Sequence, residues 1–367
     1  MSKFRVLIGF LISLFFIYLI IWKPQLSAFL NGSVTVRDAL FGVPRIDLVA
    51  MWSHVQSAKL FFVLITFLIT PLHMLIRSHR WQLMIEPIGK IRLLDSYSIQ
   101  TIGNLANTVF PMRLGEVAKA GLLTRRTKLP LSSSIASVVL ERLLDVTFLL
   151  GIFGVAAVFY KFPENIAQTF NTAILIFGIG VIAGFAIIIT LVFSKDPIKG
   201  SIGLLVHLLP AKMAKTVEKL IRDFVSGFAM IRSSKHLLLI IFESLLLWVI
   251  YGLQNWMMIV AFGFNVDYPL ISANPFLTVV VLLAVLAAGL SIPSAPGGIG
   301  TFHAAVILAM SLFGIHAEVA MGFAVVIHAL SILFYCAAGV GFLWHEGLSM
   351  SELNEIGNSN QSEQANK

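Results

Sequence analysis

The fold is decided by apolar runs, and residues 60–76 give the clearest of them, reading LFFVLITFLITPLHMLI. This run is close to the roughly 20 residues that an α-helix needs to cross the hydrocarbon core of a bilayer. The whole 367-residue chain is 58% apolar, carries only 12% charged residues and has a mean hydropathy of +0.91. Soluble domains usually carry about twice that share of charge. The composition therefore excludes an ordinary globular enzyme, a disordered protein and a secreted disulfide scaffold.

Taken together, the apolar runs predict an all-α polytopic membrane protein with about six full transmembrane spans and two re-entrant helical hairpins. The expected full spans are residues 6–22, 60–76, 134–160, 173–193, 237–262 and 321–344. The two hairpins, at about 93–124 and 276–314, are interrupted by proline and are expected to enter the membrane from opposite faces. Interrupted segments in both halves of a chain are compatible with an inverted repeat, which in transporters places the binding site near the middle of the membrane.

The distribution of positive charge predicts that both termini are cytoplasmic. In that orientation 20 Lys and Arg residues lie on the cytoplasmic side and five lie outside, as the positive-inside rule requires. The net charge of +8 then reflects topology, and we expect no nucleic-acid partner.

Residues 77–92 are one cytoplasmic basic segment. Residues 195–235 are another, with the pattern of an amphipathic helix on anionic lipid or of a solvated loop helix.

These segments predict one transmembrane domain over residues 1–345 and a disordered cytoplasmic tail over 346–367, which is rich in Ser, Asn and Gln. Basic residues before the first apolar run imitate a signal peptide, but no small-residue cleavage site follows, so we expect this helix to be retained. The single Cys336 excludes an intrachain disulfide. We expect an integral protein of a bacterial or archaeal inner membrane.

A first cluster of functional candidates lies where the first hairpin is interrupted and consists of Asn107, Pro111, Arg113 and Glu116. Pro111 suits the first turn of a helix, and Arg113 and Glu116, three residues apart, share one helical face. The planar guanidinium of Arg113 is suited to phosphate, and Glu116 could hold it in place. The alternative is an ion pair that extends to the lipid headgroups without binding a substrate.

A second cluster lies within the predicted span 134–160 and consists of Glu141, Arg142 and Asp145. Their spacing brings three ionisable groups to one flank of a helix. Each would cost several kcal/mol if it faced lipid at the membrane centre, so they are expected to face protein or water, paired with one another or with Arg113. The alternative to a functional site is a static salt bridge between two helices.

A third cluster is the turn over residues 293–300, PSAPGGIG, which interrupts the second hairpin. Its glycines would let backbone approach a ligand, and Thr301 is expected to cap a new helix whose N-terminus could bind phosphate. His303 could donate to that phosphate or carry a proton. The alternative is a helix-breaking turn with a packed histidine. The candidate residues of this turn are Gly297, Gly298, Gly300, Thr301 and His303.

Several isolated polar residues lie in the later spans. Glu243 could bind a coupling ion or proton, or it could pair with His236 or Lys235. Gln254 and Asn255 are expected to form interhelical hydrogen bonds, and His328 is a minor candidate in the last span. The sequence contains no Walker loop, no GxSxG, no His-Glu-x-x-His and no pair of cysteines. We therefore expect no metal, no cofactor, no catalytic residue of a familiar enzyme class and no ATP-driven transport.

Three ordered motifs give the chain a family resemblance. They are Asn107-x-x-x-Pro111-x-Arg113-Leu114-Gly115-Glu116 with Lys119-Ala120, then Glu141-Arg142-Leu143-x-Asp145, and then Pro296-Gly297-Gly298-Ile299-Gly300. From about residue 7 to 344 the chain resembles the lysylphosphatidylglycerol synthase transmembrane-region family. This flippase-like family includes the flippase half of multiple peptide resistance factor. No soluble aminoacyltransferase domain follows in this sequence, so lysyl transfer is not expected.

The resemblance implies movement of a lipid between leaflets, or an accessory role in polyprenyl-linked sugar or hopanoid pathways. It assigns lipid recognition to the motif residues, whereas His303 and Glu243 rest on physical reasoning alone. The leading hypothesis is a translocase that moves a phospholipid or polyprenyl phosphate through a midplane cavity. The alternatives are a membrane-embedded lipid-phosphate transferase or hydrolase, with His303 or Glu141 as general base, and a non-catalytic partner of a glycosyltransferase.

Overall fold

The computed structural model describes residues 14–22, 24–41, 46–110, 114–159, 211–226, 234–291 and 294–350, with a few isolated positions besides. Within these ranges the protein is helical and contains no strand. The helices are α1 (Leu26–Leu30), α2 (Val36–Phe41), α3 (Leu48–Ser57), α4 (Leu60–Ile85), α5 (Leu93–Val109), α6 (Leu114–Thr127), α7 (Leu131–Phe159), α8 (Ala211–Ser226), α9 (Ser234–Ala261), α10 (Phe264–Asp267), α11 (Pro269–Ala273), α12 (Pro275–Ser291), α13 (Thr301–Ser311) and α14 (Ala317–His345), with a 3-10 turn at Pro296–Gly298 before α13.

Three helices of the described residues are long and apolar enough to cross a membrane by length and composition: α4, the part of α9 over His236–Ala261, and α14. Two shorter apolar helices occupy Pro275–Leu290 and Pro296–Ser311. The predicted all-α membrane architecture is therefore confirmed, whereas the six-span count and the two re-entrant hairpins remain predictions. The predicted span 173–193 lies almost entirely outside the described residues, as does the first half of the span 6–22.

The predicted end of the second apolar helix was wrong. The apolar run stops at residue 76, but α4 continues to Ile85. Neither proline nor glycine interrupts residues 77–85, and the first such residues, Pro87 and Gly89, come after the helix has ended. Arg80 and Trp81 are buried in this extension, at 1% and 0% exposure. Part of the segment predicted to be a basic cytoplasmic loop is thus a buried helical turn.

The chain divides into two compact units, each described here by itself. Unit one comprises Met1–Pro71, Asn107–Arg113 and Ile250–Ala337. Within it α12 packs closely on α13, and a Cβ atom added at Gly289 would lie 2.6 Å from the Cβ of Ala305. Only a glycine permits this approach, because real Cβ atoms essentially never come that close.

Unit two comprises Leu72–Ala106, Leu114–Val249 and Ala338–Lys367. In this unit α7 packs against both α6 and α8. The Ser133 hydroxyl, in the first turn of α7, donates to the main-chain carbonyl of Asp223 in α8 at 2.6 Å. Lys215, Lys219 and Arg222 of α8 are exposed. This helix is the part of the predicted basic segment 195–235 that the structure describes.

Candidate functional site

Glu141 lies at the centre of a buried group of charges in unit two. Its Oε2 atom is 2.7 Å from Nζ of Lys119, and its Oε1 atom is 2.7 Å from Nε of Arg77. The Gln100 amide donates to both carboxylate oxygens at 3.3 Å. The side chain of Glu141 is 0% exposed. A carboxylate so far from solvent is stabilised only by such pairing, because burying a lone charge is very costly.

Two arginines extend the group to a second carboxylate, that of Asp145. Arg80 places Nη2 at 2.6 Å from Asp145 Oδ1 and 3.9 Å from Glu141 Oε1. Arg142 places Nη2 at 3.0 Å from Glu141 Oε1 and 3.2 Å from Asp145 Oδ2. The two arginines therefore share both acids. We call the full set the charge cluster; its members are Arg77, Arg80, Glu116, Lys119, Glu141, Arg142 and Asp145.

The position of Lys119 depends on a glycine in the neighbouring helix. A Cβ atom added at Gly103 of α5 would lie 2.3 Å from Cγ and 2.8 Å from Cδ of Lys119. The lysine stem thus passes over α5 where there is no side chain. Its ammonium group lies 5.2 Å from the centre of the Trp81 ring and 3.6 Å from Glu116 Oε2. A cation above an aromatic face is attracted to it, so Lys119 is held on several sides.

The charge cluster has a buried end and an open end. Glu141, Arg80 and Lys119 are almost fully buried, whereas the side chain of Arg142 is 34% exposed and that of Asp145 is 22% exposed. At the open end, Nε of Arg142 is buried but has no hydrogen-bond acceptor within the described part of the chain. A desolvated guanidinium N–H is well suited to an oxygen of a phosphate or carboxylate. The open end therefore offers a hydrogen-bond donor of the kind that an anion accepts.

Helices α4 and α9 carry two further acid–histidine pairs in unit two. His79 Nδ1 lies 2.6 Å from Glu243 Oε1, and His236 Nε2 lies 3.0 Å from Glu86 Oε2. The predicted alternative, in which Glu243 pairs with His236, is therefore wrong. His236 lies two turns from Glu243 along α9, which places it opposite Glu86 instead.

The predicted turn after α12 belongs to unit one and is built from left-handed glycines. Gly297, Gly298 and Gly300 have φ angles of 68°, 73° and 92°, which residues with a Cβ atom rarely adopt. His328 of α14 contacts the Gly297 carbonyl through Nε2 at 2.9 Å. Its ring stacks on Phe302 at 4.4 Å between centroids. His328 of α14 thus holds the turn in place through the Gly297 carbonyl.

One prediction about this turn was wrong. Gly300, and not Thr301, is the N-cap of α13. The Thr301 hydroxyl donates back to the Gly298 carbonyl at 3.1 Å and so stabilises the turn. His303 is buried, with its ring 5.1 Å from that of His328.

Comparison with known proteins gives the family. The profile of the lysylphosphatidylglycerol synthase TM region matches residues 6–339 of the 367. The chain belongs to this family. No curated protein and no solved structure matches it significantly. As a member of the lysylphosphatidylglycerol synthase TM region family, the protein is an integral membrane protein, and this membership is consistent with a role related to membrane lipids.

The structure brings together four predicted site residues of this family member: Glu116, Glu141, Arg142 and Asp145. Pro111 and Arg113 lie outside the described residues, so the expected pairing of Arg113 with this group remains a prediction. The other predicted site residues belong to unit one and are Asn107, Gly297, Gly298, Gly300, Thr301 and His303. Among the described residues no three His, Cys, Asp or Glu side chains are grouped so that they could hold a metal ion.

Sequence reasoning missed most of the cations around Glu141. From the sequence alone, Arg77, Arg80 and Lys119 are counted only among the basic residues of the cytoplasmic side. A usable signal existed in the spacing of Arg77, Arg80 and Trp81 with Met84, which repeats every three or four residues as on one helical face. Lys119 belongs to a family motif, but nothing in the sequence around it indicates that it pairs with Glu141.

Proposed function

We propose that the protein moves a lipid with a phosphate headgroup between the two leaflets of the membrane, and that the charge cluster is its headgroup site. The observation that carries the proposal is the burial of Glu141 among Arg77, Lys119 and Arg142 within a membrane domain. Ionisable groups inside membrane proteins are rare and are found mostly on substrate, ion or proton paths. Membership of a lipid-related family supports the same function.

Arg142 is the proposed first contact of the headgroup. Its side chain is partly exposed, and its Nε–H lacks an acceptor among the described residues. A phosphate oxygen would satisfy this donor, and a second oxygen could bind at Nη2, because the guanidinium fork matches phosphate geometry. A lysine at this position would offer only a point charge.

The carboxylates have the proposed role of keeping every cation paired while the headgroup arrives and leaves. In the described conformation Glu141 and Asp145 both contact Arg142. When phosphate replaces them there, Glu141 retains Arg77 and Lys119, and Asp145 retains Arg80. No buried charge is left alone during the exchange, which keeps its free-energy cost low.

The proposed topology is a single transmembrane domain over residues 1–345, with six spans, two re-entrant hairpins and both termini in the cytoplasm. The charge count remains in favour of this orientation, because among the basic residues assigned to the inside whose burial the structure describes, only Arg80 and Lys119 are buried. In unit one the proposed lipid-binding residues are Asn107 and, in and directly after the turn at Pro296–Gly298, Gly297, Gly298, Gly300, Thr301 and His303. Transport would be facilitative or driven by a gradient.

The test is lipid movement in proteoliposomes. Purified protein is reconstituted with trace amounts of a head-labelled fluorescent phosphatidylglycerol or phosphatidylethanolamine, and a membrane-impermeant quencher reports how much label reaches the outer leaflet. We expect faster movement than in protein-free vesicles, and a slower rate for Arg142→Gln. No acceleration under any pH or ion gradient would contradict the proposal. Mass spectrometry of the recovered lipid distinguishes transport from a transferase or hydrolase reaction.

A further inference from the structure

The pair formed by His79 and Glu243 has the properties of a site for an exchangeable proton. The two side chains meet at 2.6 Å, and Glu243 is only 10% exposed while His79 is 38% exposed. The second oxygen of Glu243, Oε2, is buried without a hydrogen-bond partner among the described residues. We propose that this pair binds a proton and couples its movement to lipid transport, an inference that rests on the proposed function.

A second acid–histidine pair, formed by Glu86 and His236, lies at the end of α4. Glu86 and His236 lie 3.0 Å apart, each seven residues from its counterpart in the His79–Glu243 pair, which is two helical turns. The Glu86 side chain is 51% exposed and that of His236 is 17% exposed. Acid and histidine side chains in series form the proton relays of many pumps and transporters. The exposed Glu86 is the proposed entry of the relay.

The relay also reaches the charge cluster. Arg80 follows His79 in α4 and donates through Nη1 to the hydroxyl of Ser244, which follows Glu243 in α9, at 3.0 Å. The same guanidinium binds Asp145 through Nη2. A change in charge at the His79–Glu243 pair is therefore felt at the arginine that holds the headgroup site. The charged and titratable groups nearest the pair along the chain are Arg77 and Arg80 of α4, Glu86 directly after α4, and His236 of α9. Arg77 and Arg80 are in turn paired with Glu141 and Asp145 of α7, and Glu86 with His236.

The coupling step involves one proton and no other reactant. Without the proton, neutral His79 and ionised Glu243 together carry a charge of minus one, which stabilises the Arg80 cation beside them. When one proton binds, the pair becomes an imidazolium and a carboxylate, or a neutral histidine and a carboxylic acid, with no net charge. The attraction for Arg80 then weakens, and Arg80 is free to bind the acids of the charge cluster more strongly. Release of the same proton restores the first state.

The main experiment uses full-length protein in proteoliposomes that contain an entrapped pH dye and head-labelled phosphatidylglycerol. A pH gradient is imposed, and lipid movement and internal pH are followed together. For the wild type we expect the gradient to accelerate lipid movement and protons to move with it. In Glu243→Gln and His79→Gln both effects of the gradient are expected to be lost. The matched control is Glu318→Gln, which removes an acid from the first turn of α14 and should respond to the gradient as the wild type does.

The outcomes separate this inference from the proposed function. Lipid movement that ignores the gradient, or that responds equally in Glu243→Gln and wild type, overturns the proton site and leaves the translocase standing. If the wild type moves no lipid at all, the proposed function fails and the proton site is decided by infrared titration of purified protein. Imidazole and carboxyl bands that change with pH in the wild type and are missing in both variants support the site. Identical spectra in all three proteins overturn it.

Discussion

Lys119 and Glu141 form an ion pair of 2.7 Å in which the side chains are 2% and 0% exposed. Neither group can return to water without separating the helices that carry them. The pair therefore connects α6 to α7 as well as offering charge for binding. Removing the carboxylate takes the nearest acid from Lys119 and a shared acid from Arg77 and Arg142, and the first prediction follows from this loss of pairing.

Glu141→Gln should destabilise the protein by about 3 to 5 kcal/mol, because the buried cations around it lose their shared carboxylate. The measurement is the free energy of unfolding in detergent, followed by tryptophan fluorescence in a denaturant titration. The control is Glu318→Gln, which changes a partly exposed acid in the first turn of α14 and should change stability by less than about 0.5 kcal/mol. A loss of stability no larger than that of the control would show that the cluster is not held by charge pairing.

Gly103→Ala should displace Lys119, because the new Cβ atom would lie 2.3 Å from Cγ of the lysine. We expect a loss of about 1 to 3 kcal/mol, which is typical of overpacking. Gly151→Ala is the matched control within a helix, since no described atom lies within 4 Å of its added Cβ. That change should be neutral or stabilising by up to about 1 kcal/mol through helix propensity. Equal destabilisation in the two variants would contradict the close approach of α5 and Lys119.

Arg142→Gln should slow lipid movement far more than Arg125→Gln. Both changes remove one arginine, but Arg142 binds the acids of the charge cluster, whereas Arg125 is exposed in the last turn of α6. The measurement is the initial rate of quencher accessibility in matched proteoliposomes. Size-exclusion chromatography of both variants checks that they fold. Equal rates would contradict an anion site inside the domain.

Asp95 should make the stability of the protein fall in acid. Hydrogen bonds from Arg92, together with the nearby Arg126, lower the pKa of Asp95 from 3.8 to about 2, and this residue lies in the first turn of α5, outside the three long apolar helices. Because the folded state has the lower pKa, the stabilisation is complete above about pH 4 and is lost as the pH falls towards 2. Unfolding in detergent is compared at several pH values between wild type and Asp95→Asn. A similar acid response in both would contradict the prediction.

His328→Leu should weaken the turn between α12 and α13. The change removes the contact of His328 Nε2 with the Gly297 carbonyl and leaves that oxygen without this partner, at a cost of about 1 to 3 kcal/mol. His328→Gln, which keeps a donor, should recover part of the loss. Protease sensitivity of the turn, followed by mass spectrometry of the fragments, measures the effect. Unchanged sensitivity in His328→Leu would show that the glycines alone fix the turn.

The sequence predicted the helices that are marked by an apolar pattern in their own residues and by a proline or glycine close to their ends. The segment predicted as a span at 134–160 is helical, as α7 at Leu131–Phe159, and the short apolar segment predicted from residue 301 is α13 at Thr301–Ser311. Proline and glycine mark the ends of these elements, and three or four apolar residues per two turns mark their length. Glu141, Arg142 and Asp145 could be assigned to one site because the cost of burying charge requires that they be paired.

The rest of the charge cluster depends on contacts that no local pattern contains. Arg77 meets Glu141 across 64 positions of sequence, and His79 meets Glu243 across 164. Arg77 resembles a loop cation by composition, and only the tertiary fold shows that its partner is Glu141. The prediction that Thr301 caps α13 was wrong for a related reason. Its hydroxyl could accept from a backbone N–H at the cap or donate back to a carbonyl of the turn, and in the turn formed by the three left-handed glycines it donates to Gly298.

The shielding of Lys119 has a chemical consequence. An amine-reactive reagent cannot reach an ammonium group that is 2% exposed, tied to Glu141 and covered by the Trp81 ring, whereas the exposed Lys215 reacts freely. Any modification of Lys119 must occur while α5, α6 and α7 are apart. The ratio of labelling at these two lysines therefore measures how often the interior of the domain opens, with no substrate and no reporter group added.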